Sequence, residues 1–195
     1  MKRNVGIFIF DDAEVLDFAG PFEVFSVSSQ LHNYELFDVF TVGKNENIIC
    51  AVNGLLVKPN YTFTNHPHID ILIIAGGQGT RKLLNDAEIL GWIEKIQSFS
   101  EITMSICSGS RILGKIGLLD NRPFCTHYQV YDHMYKISPT AIPKKEKRFV
   151  QSAESIYTSG GISSGIDLSF HIVETLFGKE VAKNTSTYME YTING

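Results

Sequence analysis

The sequence predicts an α/β fold, a three-layer α/β/α sandwich with a mainly parallel central sheet. Val5–Phe10 and Asp70–Ala75 are almost continuous apolar runs that lack the alternation of a half-exposed strand. Such runs are typical of strands that are buried on both faces of a parallel sheet. Segments with helical spacing lie between the strand-like segments, which is the order expected when helices cover such a sheet.

Strands and helices alternate through the first hundred residues. Pro21 stands near a first helical turn, where proline is tolerated, and Asn53-Gly54 is a hairpin signal. Between and after the two buried strands we predict a helix over Gly20–Leu31, a strand over Glu35–Val42, a hairpin over Ile48–Val57 and an amphipathic helix over Ala87–Phe99.

The second half of the chain continues the alternation but is less regular between Asn121 and Pro143. Gly178 is the stop signal of one helix. After a strand that ends at Cys107, we predict helices over Gly109–Leu119 and Gln129–Ile137, a strand pair over Phe149–Ser152 and Ile156–Ser159, and helices over Gly165–Phe177 and Lys179–Met189.

Composition limits the class of protein. The 195 residues, 44% of them hydrophobic, fit a single domain over residues 1–195. The net charge of -4 gives no attraction for phosphate, so we expect no nucleic-acid partner. No apolar run reaches the roughly 18 residues of a membrane span, and no export signal follows Met1. Three cysteines without C-x-x-C spacing fit a reducing compartment, so we expect a cytoplasmic protein.

The segment around Cys107 has the pattern of a nucleophile. An apolar strand runs directly into Ser105-Ile106-Cys107 and then into helical spacing, which predicts a tight turn with the cysteine at its apex. Unpaired N–H groups at a helix start would lower the pKa of the thiol from about 8.5 and favour the thiolate. The alternative interpretation is an inert, buried core cysteine.

Polar and glycine-rich segments are expected to converge on this cysteine, because sites collect at the carboxyl ends of parallel strands. The N–H groups of Gly77 and Ser108 could form an oxyanion hole, with Gly76 as an auxiliary. A simple tight turn is the alternative, and Lys82 occupies the third glycine position of a dinucleotide loop. The converging segments are Asp11–Asp17, Gly76–Gly79, Cys107-Ser108 and Thr126-His127.

Asp17 and His127 are the candidate acid–base groups. Asp17 lies between apolar neighbours at a predicted helix start, where its carboxyl could exchange a proton with a thiolate or act as an ordinary N-cap. His127, after a predicted strand end, could orient the thiol or serve as a structural histidine. His66 and His68 lack a third ligand, so we predict no metal site.

These motifs resemble the ThiJ/PfpI superfamily, which has the flavodoxin-like class I glutamine amidotransferase fold. Leu16–Phe25 and Cys107-Ser108-Gly109 are most similar to the isonitrile hydratase-like branch. The resemblance covers nearly the whole chain. It also rests on the motifs at Val5–Phe10, Ile73–Gly77, Gly117–Asp120, Cys125–Tyr128, Ser159–Gly161 and Ile166–Leu168.

The resemblance implies a cofactor-free, homodimeric enzyme, with the helix after Pro21 as a candidate contributor to the dimer. Cys107 would attack an isonitrile, Asp17 would move protons, and Ser108 would stand where isonitrile hydratase has threonine. We therefore expect a cysteine-dependent hydratase or hydrolase of a small, largely uncharged molecule. Ser108 argues against the protease-like branch, which has histidine there.

The alternative from a different class is a small-molecule or oxidant sensor that uses the same cysteine. A regulator's effector domain is a third class, which we disfavour because the chain ends at Gly195 without room for a helix-turn-helix.

Overall fold

The computed structural model describes residues 1–193, and it has the predicted α/β architecture. The helices and strands, in chain order, are β1 (Arg3–Phe8), α1 (Val15–Gln30), β2 (Phe37–Gly43), β3 (Ile49–Cys50), β4 (Leu56–Val57), β5 (Tyr61–Thr62), β6 (Ile71–Ile74), α2 (Thr80–Leu83), α3 (Ala87–Gln97), β7 (Ile102–Ser105), α4 (Ser110–Lys115), β8 (Pro123–Phe124), α5 (Tyr131–Ile137), β9 (Ile142–Pro143), β10 (Phe149–Ala153), β11 (Ile156–Ser159), α6 (Ser164–Phe177) and α7 (Lys179–Tyr188).

Seven strands form the central sheet in the order β10-β11-β7-β6-β1-β2-β5. All neighbouring pairs are parallel except β10 and β11, which form the predicted strand pair and are antiparallel. Helices α1, α6 and α7 pack against one another, and α4 packs against α2 and α5. The carboxyl ends of β1, β6 and β7 are therefore adjacent, which brings the segments that follow them to one edge of the sheet.

The two apolar runs lie at the centre of this sheet. Every side chain of β6 is buried, and so are Val5, Ile7 and Phe8 of β1. Phe8 packs against Phe63 and Trp92, with ring centroids 5.6 and 5.7 Å away. Burial on both faces explains why neither run alternates between apolar and polar residues.

The first helix differs from the prediction in a way that matters for the site. Helix α1 begins at Val15, five positions before Gly20, and Pro21 lies inside it. Asp17 is therefore a residue of the first turn, and Glu14 occupies the N-cap position without a side-chain hydrogen bond. The N-cap interpretation of Asp17 is wrong, so its carboxyl needs another explanation.

The region from Asn121 to Pro143, which has the least regular sequence pattern, contains two short strands. Within residues 1–193, strands β8 and β9 pair with each other alone, as a separate two-stranded parallel sheet. Thr126-His127 therefore does not follow a strand of the central sheet, contrary to the prediction. Among residues 1–193, no helix combines the length and hydropathy needed to cross a membrane.

Candidate active site around Cys107

The chain turns sharply at Cys107, as the sequence predicts. Cys107 follows β7 and Ile106 and has a φ of 53°, in the left-handed region. Its N–H donates to the Gly160 carbonyl at 3.1 Å, and its own carbonyl accepts the Thr126 hydroxyl at 2.9 Å. A Cβ at Gly109 would lie 2.5 Å from the Ile74 carbonyl oxygen. The turn is thus fixed by neighbouring backbone and needs glycine two residues after the cysteine.

The sulfur environment differs from the prediction. Only 6% of Cys107 is exposed, and burial together with the nearby Asp17 carboxyl raises the pKa of its thiol to about 12. The backbone N–H groups of Ile162 and Ser108 favour the thiolate, but their effect is smaller. The predicted lowering of the thiol pKa is therefore wrong, because desolvation outweighs the backbone dipoles.

Asp17 is the acid that faces this sulfur. It is fully buried, and its Oδ2 accepts the Gly76 N–H at 3.0 Å. Its Oδ1 is buried and, among the described residues 1–193, has no hydrogen bond of regular geometry. Burial raises the pKa of Asp17 to about 8, with a contribution from Glu14, whereas the Gly76 N–H and the Cys107 thiol act in the opposite direction.

Asp17 and Cys107 titrate as a pair. Burial disfavours the charged form of each group, so the pair holds both protons at neutral pH. The first proton is lost near pH 8 from the Asp17 carboxyl, because it is the more acidic of the two groups. The structure therefore holds a proton donor and a latent thiolate side by side.

Gly76 fixes the position of the carboxyl. A Cβ at this residue would lie 2.6 Å from Asp17 Oδ2, 2.6 Å from the Ser108 nitrogen and 2.8 Å from the Ile106 carbonyl oxygen. Only glycine lets the loop after β6, the carboxyl and the turn after β7 approach so closely.

One of the two N–H groups of the predicted oxyanion hole already donates a hydrogen bond within the protein. The Gly77 N–H donates to Ser108 Oγ at 2.8 Å, and that hydroxyl donates to the Gly77 carbonyl at 3.0 Å. Gly77 has a φ of 121°. Ser108 thus binds the glycine loop through its side chain, while its backbone N–H faces the sulfur. An oxyanion role for the Gly77 N–H stays a prediction.

Cys107 opens onto a pocket of about 400 Å³. His127 lines it, with its ring against Gly161 and Tyr128. Among residues 1–193, His127 makes no hydrogen bond to Cys107 or Asp17, so a role in orienting the thiol stays a prediction. The pocket is lined by Glu14, Val52, Gly77, Gln78, Arg81, Cys107, Ser108, Arg111, His127, Tyr128, Gln129, Val130 and Ile162.

Among the pocket residues that sequence reasoning missed, Arg81, Arg111 and Ile162 contribute charge or a backbone N–H to the site. Arg111 is a charged residue in an otherwise apolar segment directly after the turn, and that contrast was the available signal. Ile162 contributes a backbone N–H, which no side-chain pattern reveals.

The remaining histidines lie away from the pocket. His66 accepts the indole N–H of Trp92 at 3.2 Å, and His68 lies 3.4 Å from Asp70. Within residues 1–193, no group of three His, Cys, Asp or Glu residues is arranged to hold a metal ion. Cys50, Cys107 and Cys125 are all free thiols.

Comparison with known proteins agrees with this fold. Residues 3–175 match the DJ-1/PfpI family. The chain belongs to this family. It is 29% identical to isonitrile hydratase from Pseudomonas putida over 191 residues, which are 98% of this chain and 79% of that protein. It is also 22% identical to the HTH-type transcriptional regulator GbdR from Pseudomonas aeruginosa, with 97% of this chain covering 51% of the regulator.

Solved structures support the same fold. A ThiJ/PfpI family protein from Pseudomonas syringae superposes with a TM-score of 0.87 at 25% identity, covering 100% of this chain and 77% of that one. Drosophila melanogaster DJ-1beta superposes with a TM-score of 0.83 at 15% identity, covering 98% and 100%. The DJ-1/PfpI family therefore includes relatives of this chain with enzyme names and with regulator names.

Proposed function

We propose that this protein is a cysteine-dependent hydratase of a small molecule that carries an electrophilic carbon, with an isonitrile as the reference substrate. The observation that carries the proposal is the pairing of Cys107 with a buried, proton-holding Asp17 at the wall of a pocket. The 29% identity with isonitrile hydratase over most of both chains supports the same chemistry.

The first half of the reaction adds the thiol across the terminal carbon of R–N≡C. The Cys107 sulfur forms the new C–S bond, and the thiol proton, passed through Asp17, ends on the same carbon to give a thioimidate. Because Asp17 holds its own proton at neutral pH, it can protonate the carbon and then take the proton that the thiol releases. No net charge has to be created in the buried site.

The second half consumes one water. The water oxygen bonds to the thioimidate carbon, and its first proton goes to the nitrogen. The C–S bond then breaks, the second proton returns to the sulfur, and the product is the N-substituted formamide. Asp17 is the only carboxyl among residues 1–193 that the structure places against the sulfur, so we assign both proton transfers of this half to it.

The buried thiol favours this proposal over the alternative of an oxidant sensor. Peroxide reacts with the thiolate, and burial with Asp17 raises the pKa of Cys107 to about 12. A hydratase that delivers the thiol proton to the substrate does not require a free thiolate at rest. Selective, reversible oxidation of Cys107 by mild peroxide, without turnover of any isonitrile, would instead favour the sensor.

The test compares two buried cysteines. Purified wild type, Cys107→Ala and Cys125→Ala are incubated with a panel of isonitriles, and formamide is followed by proton NMR. We expect formamide from the wild type and from Cys125→Ala but none from Cys107→Ala. Retained turnover in Cys107→Ala would remove this cysteine from the mechanism.

We also propose that the protein acts as a cytoplasmic homodimer. The basis is the similarity to the family, and α1 already buries one side against α6 and α7, so a dimer contact through α1 would use its remaining surface. Analytical ultracentrifugation of the wild type tests the dimer, and a monomer at micromolar concentration would contradict it.

A further inference from the structure

Arg111 is a buried cation without an acidic partner. Only 2% of it is exposed, and within residues 1–193 no carboxylate lies within ion-pair distance of its guanidinium. Buried charges in proteins are normally paired, because an unpaired one costs several kcal/mol. Arg111 therefore requires an explanation that the fold alone does not give.

The hydrogen bonds of Arg111 leave most of its donors unused. A guanidinium carries five N–H donors, and within residues 1–193 Arg111 makes one hydrogen bond, from Nη1 to Thr80 Oγ1 at 2.9 Å. Its Nε is buried and has no hydrogen-bond partner in the part of the chain that the structure describes. The Thr80 hydroxyl donates to the Gly77 carbonyl at 2.7 Å, so the one bond that Arg111 makes ties it to the loop that lines the pocket.

The same pocket contains a second arginine. Arg81 lines it together with Arg111 and Cys107, and its Nε donates to Gln78 Oε1 at 3.2 Å. Glu14 is the acidic residue of the lining, and among the ion pairs of residues 1–193 it has none with either arginine. Two guanidinium groups against one carboxylate give the wall a net positive charge beside the sulfur.

We propose that Arg111, supported by Arg81, binds an anionic group of the substrate, a carboxylate in its simplest form, and so holds the electrophilic carbon against Cys107. The proposal rests on the proposed function for the reacting carbon and adds the charge of the substrate. It replaces the sequence-based expectation of a largely uncharged substrate. A guanidinium suits this role because its planar N–H groups match the two oxygens of a carboxylate.

A matched pair of isonitriles tests the charge directly. Isocyanoacetate and methyl isocyanoacetate present the same reacting carbon, but only the first is an anion. We expect the wild type to favour the anion by about ten- to a hundredfold in kcat/KM, mainly through KM, because a charged hydrogen bond contributes roughly 1.5–3 kcal/mol. A wild-type ratio near one would overturn the proposal.

Variants assign the preference to Arg111. Arg111→Gln removes the charge but keeps a donor for Thr80, and it should lose most of the preference while still converting the ester. Arg111→Lys should keep part of it. The control is Lys115→Gln, which removes a positive charge from the exposed end of the same helix and should leave the ratio unchanged. An unchanged ratio in folded Arg111→Gln, judged by circular dichroism, would contradict the proposal. If that variant does not fold, the Arg111→Lys and wild-type ratios decide.

A binding measurement distinguishes failure of the anion site from failure of the proposed hydratase activity. Calorimetry with Cys107→Ala, which lacks the nucleophile, should give at least tenfold tighter binding of isocyanoacetate than of its ester, and Arg111→Gln in that background should remove the difference. Arg111-dependent binding without wild-type turnover would leave the anion site standing and reject the hydratase. Turnover without any preference for the anion would support the hydratase and reject the anion site.

Discussion

Cys107 and Cys125 are both buried, and burial raises the pKa of both thiols to about 12. Cys125 is fully enclosed, and its sulfur faces two backbone carbonyl oxygens, those of Lys144 at 3.3 Å and Lys147 at 3.4 Å. Cys107 lines a pocket and faces the Asp17 carboxyl and two backbone N–H groups. Two buried thiols of similar acidity therefore have different chemistry. What separates a reactive cysteine from a packed one is a partner that moves protons, together with access for a substrate.

Asp17→Asn should remove the proton-transferring partner of Cys107, and we expect it to reduce isonitrile turnover more than the other substitutions below. The amide has nearly the shape of the carboxyl but cannot take up the thiol proton. We expect isonitrile turnover to fall by about a hundred- to ten-thousandfold, the usual range for loss of a general acid–base group. Proton NMR of formamide formation measures it, with Cys125→Ala as the control that keeps wild-type turnover. Turnover within threefold of the wild type would remove Asp17 from the mechanism.

The same substitution should change the pH dependence of stability. Burial raises the pKa of Asp17 from its unfolded value of 3.8 to about 8. Between these values the folded protein binds a proton that the unfolded chain has lost, so its stability falls as the pH rises. The Asp17→Asn variant lacks this titrating group, so its stability relative to the wild type should grow by about 1.4 kcal/mol per pH unit from pH 5 to pH 7.

Urea unfolding of both proteins at several pH values gives this difference. Asp132→Asn, at an exposed position in α5, is the control for replacing a carboxyl by an amide on the surface. A pH-independent difference for Asp17→Asn would mean that Asp17 is ionised in the folded protein.

Gly76→Ala should move the Asp17 carboxyl away from Cys107, which would leave this thiol, like that of Cys125, without a carboxyl partner. The new methyl would meet Asp17 Oδ2 and the Ser108 nitrogen at 2.6 Å, so the carboxyl has to move away from the sulfur. We expect a loss of about 1–3 kcal/mol in stability from overpacking, together with reduced turnover. Gly91→Ala is the matched control, because nothing lies within 4 Å of that position in α3; there alanine should add about 0.5–1 kcal/mol. Equal effects at both positions would contradict the close approach at Gly76.

The sequence predicted those parts of the fold and site that leave a local pattern. Two apolar runs predict the buried strands β1 and β6. A strand pattern that changes directly into helical spacing predicts the turn at Cys107. Two-residue strands such as β8 have no periodicity, so the sequence wrongly predicts that His127 follows a strand of the central sheet. The pKa of Cys107 depends on how deeply its neighbours cover it, and the burial of Arg111 depends on tertiary packing; neither is encoded in spacing.

Alkylation by iodoacetamide compares the reactivity of the two cysteines directly. We expect it to show the smallest difference of the experiments described here. The thiolate is the reacting species, and both thiols have a pKa near 12, so both rates should rise about tenfold per pH unit from pH 7 to pH 9. Cys107 should react at least tenfold faster than Cys125 at each pH, because only Cys107 borders the pocket. Peptide mass spectrometry separates the two sites. A Cys107 rate that levels off near pH 7 would show that the N–H groups of Ile162 and Ser108 outweigh burial, and the thiolate of the sequence-based prediction would then be the resting state.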